Sequence, residues 1–371
     1  MRLPIVYEPA LTRGLLDSTH YLYLRPTDLV SGPEAEAARE HGRGLALAGG
    51  SIVFQAVDVV ARAPEAVRVA SIPVAALDSL DIPDMADRIT ALTAPRRPVM
   101  PALGDAVGPL LMGIVNVTPD SFSDGGDHPE TPDAVAHGRQ LAEDGAVILD
   151  IGGESTRPGA DAVSIAEETR RTEPVIQALA GEGFAVSIDS RNAPVMAAGL
   201  DAGAMIVNDV SALGHDPSAA PLVAARGCPV VLMHMAGQPK TMQDDPVYAC
   251  APLDVYDALA ERVAFAEAAG IVRDRILIDP GFGFGKTVSH NLEITAWLAL
   301  FHGLGCPILF GASRKSAIGA LSRGEPAKQR VPGSIALALA AAARGAQVLR
   351  VHDVAPTAQA LSVQSALNKV P

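Results

Sequence analysis

The chain has 371 residues, 49% hydrophobic and only 4% aromatic, with a formal net charge of −13. Length and apolar content suit two domains with a large aliphatic core, and the acidic balance argues against nucleic acid or an anionic membrane as partner. The three cysteines, Cys228, Cys250 and Cys306, are widely spaced with no CxxC pair, which favours reduced thiols over a metal centre. No run reaches 18 uncharged apolar residues, and the opening MRLPIVYEPA lacks a signal-peptide core, so a cytoplasmic protein is expected.

Residues 1–105 read differently from the rest. Segments 20–24 and 51–60 have strand character, and Gly49-Gly50 turns the chain before the second. Segment 66–77 reads as one or two strands around Pro73, and 84–92 as a short helix with acidic residues near its positive end. The proline-rich stretch 94–101, APRRPVMP, cannot continue a helix and reads as a linker. No convergent polar groups mark this region. A small α/β appendage, packed on the main domain or on a second subunit, is expected in preference to a lid or regulatory module.

From residue 106 to 371 the pattern alternates between strand and helix. Apolar strand segments fall at 110–115, 147–151, 185–188, 205–207, 230–233, 276–278, 308–310 and 347–351. Alanine-rich helical segments lie between them, as at 134–143, 166–180, 193–202, 253–269 and 335–343. Short, wholly apolar strands covered by helices are parallel strands, and eight βα units in this length make a (β/α)8 barrel. An open doubly wound sheet would more usually have six strands, with a GxGxxG after the first, and that motif is missing.

The strand ends carry the chemistry. The first, LLMGIVNVTPDSFSDGG at 110–126, passes from an apolar strand into a loop of acids and hydroxyls. Later ends deliver Asp150, Asp189 with Ser190, Asn208 with Asp209, His234, Asp279, Ser313-Arg314-Lys315, and Arg350 with His352. Singly, an Asp after a strand is often a cap or turn former, and Asp150 and Asp209 read that way. Together, a barrel converges such groups on one pocket. Asp189, Asn208 and Asp279 suit the N–H, NH2 and carbonyl edge of a heterocycle. Lys315, Arg350 and His352 add positive charge, and Asn116 offers an oxygen for Mg2+. The composite is a polar heterocycle held deep and an anion, a phosphate by this reading, at the mouth.

The loop GGESTRPG at 152–159 adds hydroxyls and Arg157, a clamp for a carboxylate or phosphate, in a segment able to order over a ligand. Segment 280–287, PGFGFGKT, nearly scans as a phosphate-binding P-loop, but Pro280 stands where the first glycine belongs. It reads as a glycine-rich turn, and ATP binding is not expected. His234 reads as structural, with Met233 and Met235 as core or pocket wall.

The segments GIVNVTPDSFSDGG, DIGGESTRPGA, SIDS, IVNDVSAL, MHMAGQPKTMQ, DPGFGFGKTVSHN, GASRKS and RVHDV, in this order across residues 108–371, resemble the dihydropteroate synthase family of folate biosynthesis. The resemblance implies condensation of 6-hydroxymethyl-7,8-dihydropterin diphosphate with 4-aminobenzoate, Mg2+ as cofactor, and a homodimer. It implies that Asp189, Asn208, Asp279 and Lys315 hold the pterin, with Met233 and Phe284 as walls. Asn116 would ligate Mg2+ on the diphosphate, assisted by Thr156, Arg350 and His352. Phe122, Thr156, Arg157, Pro158, Lys315 and Ser316 would form the aminobenzoate site, with Asp120 supporting the closed loops. Asp120, Arg157 and Lys315 would be the catalytic residues. Pro356 departs from the family, which often has an acid there, and residues 1–105 lie outside the pattern. The alternatives are a catalytically silent pterin-binding paralogue and a methyltransferase acting between methyltetrahydrofolate and a corrinoid.

Overall fold

Short apolar segments become stable strands only when both of their faces are covered, and the chain achieves this twice. The computed structural model describes residues 2–11, 21–80, 82–96, 108–118, 131–155, 163–237 and 242–370.

The N-terminal region contains β1 (Ile5–Glu8), β2 (Tyr21–Val30), α1 (Gly32–Glu40), β3 (Leu45–Ala46), β4 (Val53–Arg62), β5 (Val67–Pro73) and α2 (Met85–Thr93). Its sheet runs β1-β5-β4-β2, with β3 also on β4; β1 pairs in parallel with β5 and the other pairs are antiparallel. Strands β1 and β3 have no counterpart in the sequence expectation, and three further features differ from it. The first long strand extends to Val30 through Pro26, which is tolerated because β2 is an edge strand. Segment 66–77 gives one strand and then a 3-10 turn, Val74–Ser79. The unexpected helix α1 has Pro33 in its first turn, Glu34 near its N-terminus and Arg39 near its C-terminus, the arrangement that helix ends favour. Residues 97–101 of the expected linker lie outside the described residues.

The barrel strands are β6 (Leu110–Asn116), β7 (Ile148–Gly152), β8 (Val186–Asp189), β9 (Ile206–Asp209), β10 (Val230–Met233), β11 (Ile276–Asp279), β12 (Leu309–Phe310) and β13 (Val348–Val351). Each overlaps its expected segment. The helices between and after them are α3 (Thr131–Glu143), α4 (Ile165–Gly181), α5 (Ala193–Asp201), α6 (Ala219–Arg226), α7 (Ala251–Ala268), α8 (Val288–Ala296), α9 (Ser316–Leu321), α10 (Val331–Ala342) and α11 (Val354–Leu367). All strand pairs are parallel in the order β11-β10-β9-β8-β7-β6-β13-β12, and a bridge between Ile278 and Ile308 closes the ring. Pro356 lies in the exposed first turn of α11.

Side chains alternate along each strand, so one parity faces the axis and the other faces the helices. Met112, Ile148, Ile206, Val231, Leu277, Leu309 and Val348 cluster as an inner layer, all 0–1% exposed. Their neighbours of opposite parity, among them Leu111, Leu149, Val207, Val230 and Leu349, join the larger core beneath the helices. Two residues beyond the inner layer, the same parity brings Asp150, Asn208, Met233, Asp279 and Arg350 towards the axis. Asp189 pairs in register with Gly152 and Asn208, which puts it at the same end.

The N-terminal sheet is covered on both faces. Phe54, Val57, Val59 and Ala61 pack with Leu92 of α2. From the other face, Tyr23, Val60, Val67 and Val69 pack against Cys250, Leu253, Trp297 and Leu300 of the barrel. Arg25, paired with Asp58, lies 4.1 Å from the centre of the Trp297 ring. Arg96 donates to the carbonyl of His302 at 2.9 Å. Removing residues 1–105 would expose Leu253, Trp297 and Leu300 together, a patch that favours aggregation. The truncated barrel is expected to be insoluble or to melt well below the full chain in a thermal scan. A soluble barrel with an unchanged melting temperature would show that this face needs no cover.

Candidate functional site

The inward parity of β7, β8, β9 and β13 builds a charged floor. Arg350 donates from Nε to Asp150 Oδ2 and from Nη2 to Asp189 Oδ2, both at 2.6 Å. Asn208 donates through Nδ2 to the same Asp150 oxygen at 2.9 Å. Asp150 is wholly buried, so it holds the guanidinium and the amide in place and leaves Asp189 as the partly exposed acid of the set. Burial alone disfavours the charge on Arg350, but Asp150 and Asp189 more than offset this and its pKa is raised. Burial also pushes the Asp189 carboxyl up to about 7, against the pull of Arg350. Removing one partner from such a pair costs about 3–5 kcal/mol, because the other charge is left buried and uncompensated.

The opposite wall comes from β10, β11 and the turn into α9. Asp279 accepts from the N–H of Gly281 at 2.8 Å, and burial raises its pKa against the pull of Lys315. Lys315 donates to the carbonyl of Phe282, and its Nζ stands 4.3 Å from the centre of the Phe284 ring. Burial lowers the Lys315 pKa to about 7, with Asp279 opposing the shift. The lysine is therefore poised between its charged and neutral forms at physiological pH. Met233 borders this wall and also lines a cleft of about 410 Å³ with Val210, Arg191 and Arg262.

Between these walls runs the glycine-rich turn. Its Lys286 is 3% exposed, and Nζ lies 2.9 Å from His234 Nδ1, 2.9 Å from the carbonyl of Gly281 and 3.0 Å from that of Phe284. Burial pushes its pKa well below the usual lysine value. A lysine nitrogen enclosed by its own loop's carbonyls is not presented to a phosphate, in keeping with the reading of this segment as a turn. Gly281 has φ +69°, and a Cβ there would sit 1.9 Å from the carbonyl of His234, so the turn packs directly on the end of β10. His234 takes the structural place expected of it. Burial, then the nearby Lys286, lowers its pKa to about 3.

At the mouth, Asn116 ends β6 half-buried. The N–H and Nδ1 of His352 lie 3.1 and 3.0 Å from Ser313 Oγ. Ser316 opens α9, exposed, beside Lys315. Arg314 adopts φ +60° and forms a double ion pair with Asp353, at 2.9 and 2.6 Å, which fixes the turn that carries Lys315. Asp209 has the outward parity and accepts from Ser211 and Leu213 as a turn former, as expected. Asp120, Phe122, Thr156, Arg157 and Pro158 lie outside the described residues.

The structure thus brings Asp189, Asn208, Asp279, Met233, Phe284, Lys315 and Arg350 to one end of the barrel, with Asn116, His352 and Ser316 at the mouth. Two elements escaped the sequence reading. Asp150 read as structural, yet it orients two site residues; its position two residues beyond the inner-layer Ile148 was the available signal. The other is the pair of Arg191 and Glu154, at 3.0 and 3.1 Å, which with the bond from Arg171 to the carbonyl of Gly153 pins the start of the second loop. No local pattern links residues so far apart.

Comparison with known proteins matches residues 112–352 to the pterin binding enzyme family. The dihydropteroate synthase of Escherichia coli K12 is 47% identical over 264 residues, which is 71% of this chain and 93% of that protein. A crystal structure of Xanthomonas albilineans dihydropteroate synthase with 4-aminobenzoic acid is 52% identical with a TM-score of 0.67, covering 71% of this chain and 94% of that one. The same enzyme in complex with 7,8-dihydropteroate is 49% identical with a TM-score of 0.65, covering 71% and 95%. With this identity over almost the whole length of those proteins, the chain belongs to the dihydropteroate synthase family of pterin-binding enzymes.

Proposed function

We propose that the chain condenses 6-hydroxymethyl-7,8-dihydropterin diphosphate with 4-aminobenzoate, yielding 7,8-dihydropteroate and diphosphate. The observation that carries this is the set of Asp189, Asn208, Asp279, Lys315 and Arg350, buried or half-buried together at the C-terminal end of the barrel, in a chain half identical to enzymes of that name. Asp189 and Asp279 accept from the pterin's ring N–H and amino groups, and the Asn208 amide meets its carbonyl edge. Phe284 and Met233 flank the ring, and Lys315 reaches it from above Phe284.

The reaction exchanges a C–O bond for a C–N bond at the pterin methylene. Diphosphate leaves with the bonding pair, the developing positive charge spreads into the ring, and Asp189 and Asp279 stabilise it. The arylamine nitrogen then attacks and releases its extra proton to water. No strong base is required, so acceleration comes from electrostatics and positioning.

For Mg2+, Asn116 offers one hard oxygen at the mouth, while the Oδ2 atoms of Asp150 and Asp189 are committed to Arg350. Among the described residues no cluster of three or more His, Cys, Asp or Glu side chains forms a cage. This donor set fits an ion held chiefly by substrate phosphate oxygens and water, with Asn116 as its protein ligand. Bound there, Mg2+ would neutralise charge on the departing diphosphate. Thr156, Arg350 and His352 assist at the diphosphate in this reading. Phe122, Thr156, Arg157, Pro158 and Ser316 form the aminobenzoate site, with Asp120 supporting it.

Residues 1–105 are the appendage and 106–371 the catalytic barrel. A homodimer is supported by apolar residues exposed around α9 and along α11, Leu321, Val363 and Leu367. A cytoplasmic location accords with three buried free cysteines, and no helix among the described residues is long and apolar enough to cross a membrane.

Three measurements test this reading. Purified protein with dihydropterin diphosphate and Mg2+ should release diphosphate only when 4-aminobenzoate is added, with dihydropteroate formed in step; tight pterin binding without turnover would refute it. Asp189→Ala should lower kcat/KM for the pterin substrate at least about a hundredfold, the loss of a charge-assisted bond plus an orphaned partner. Unchanged affinity for the pterin substrate would remove Asp189 from the site. Because Lys315 titrates near 7 and binds as the cation, raising the pH from 7 to 9 removes its charge. The KM for dihydropterin diphosphate should therefore climb over that range, and Lys315→Arg, charged throughout, should flatten the climb.

A further inference from the structure

The N-terminal sheet lies outside the family match, yet it is joined to the turn beneath Lys315 by an unbroken series of bonds. Arg62, the last residue of β4, reaches the first turns of α7. Its Nη2 donates to Asp254 Oδ1 at 2.7 Å, and its Nη1 lies 3.1 Å from Asp257 Oδ2. Tyr23 on β2 donates its hydroxyl to the same Asp257 at 3.0 Å. The second oxygen of Asp254 accepts the backbone N–H groups of Ala249 and Cys250, at 2.7 and 3.1 Å. The N–H of Leu3 donates to the carbonyl of Ala249 at 2.8 Å. Residues 249 and 250 are thus gripped by the N-terminal region through Asp254 and directly through Leu3.

The segment just before them crosses the glycine-rich turn. Tyr248, 8% exposed, donates its hydroxyl to the carbonyl of Gly285 at 2.8 Å, and Gln243 donates through Nε2 to the carbonyl of Gly283 at 2.7 Å. Gly281, Gly283 and Gly285 all have positive φ, +69°, +83° and +62°. A turn with three such glycines has little intrinsic preference for one shape. It is held by its own Lys286, by Asn291, whose Oδ1 accepts from the N–H of Gly283 at 2.7 Å, and by Tyr248 and Gln243. This turn supplies the Phe282 carbonyl that accepts from Lys315 and the Phe284 ring beneath it.

We propose that the N-terminal region is a positioning module for the pterin site, with Arg62 and Tyr248 as positioning residues acting in series through segment 242–250. Neither touches the reacting atoms. Arg62 fixes the start of α7, the start of α7 fixes Tyr248, and Tyr248 fixes the turn on which Lys315 rests. The inference rests on the pterin-site reading above, and native enzyme in the same assay separates the two.

The test is steady-state kinetics on full-length Arg62→Met, Tyr248→Phe, the double variant and Arg62→Lys, alongside thermal melts. In each of the first two, the KM for dihydropterin diphosphate should rise roughly three- to tenfold, the worth of the one neutral hydrogen bond from Tyr248 to the turn through which both residues act. The KM for 4-aminobenzoate and kcat should stay within about twofold, a split that general destabilisation would not produce. Arg62→Lys should recover part of the loss. Because the two residues act through one segment, the double variant should be no worse than the weaker single. Lower melting temperatures with both KM values unchanged, or effects that multiply in the double variant, would overturn the proposal. If Arg62→Met does not fold, Tyr248→Phe and Asp254→Asn carry the same comparison. A native enzyme that makes no dihydropteroate overturns the pterin-site reading; an active native enzyme with unmoved variants overturns this inference alone.

Discussion

The site depends on the two-residue period of a strand inside a closed ring. Once Met112, Ile148, Ile206, Val231, Leu277, Leu309 and Val348 fill the axis, the next inward position on each strand has no freedom in its direction. That position is Asp150 on β7, Asn208 on β9, Met233 on β10, Asp279 on β11 and Arg350 on β13. A shift of one residue in any strand would send its polar group under a helix and its apolar neighbour into the site. The same apolar layer that holds the barrel together therefore aims its chemistry.

Electrostatics then separates the inward groups by task. Asp150 is fully buried and already bonded to Arg350 and Asn208, so its charge serves the protein. Asp189 shares Arg350 but keeps part of its surface exposed, and burial raises its pKa against the pull of that arginine. A protein of net charge −13 must still receive a diphosphate. Across from the two acids that hold Arg350, burial brings the Lys315 pKa down to about 7 against the pull of Asp279.

Much of this was legible in the sequence because strand ends are local. Eight apolar segments and the residues after them gave the barrel and the inward Asp189, Asn208, Asp279 and Lys315. Parity also separates Asn208 from Asp209, and Met233 from His234. What was not legible is pairing between distant residues: the link from Arg350 to Asp150 spans 200 positions and that from Arg191 to Glu154 spans 37. The helix α1 was missed although its proline and charge placement signalled it. The N-terminal sheet showed no motif because its part in the molecule lies in contacts with α7 and Trp297, made across the fold.

Lys286 shows why composition and spacing alone mislead at such a site. Read along the chain, a glycine-rich run ending in lysine and threonine invites a phosphate. In the fold, Gly281 and Gly285 are needed because the turn crosses residues 234–236 too closely for a Cβ, Gly283 because a Cβ there would meet the Lys315 side chain at 2.9 Å, and the lysine donates to carbonyls that the crossing leaves inside. Glycine and lysine are each explained by the other: the close approach creates buried acceptors, and an unbranched chain ending in three donors satisfies them at once. The turn is thus held from within by its own Lys286 and from beyond its sequence by Tyr248 and Asn291.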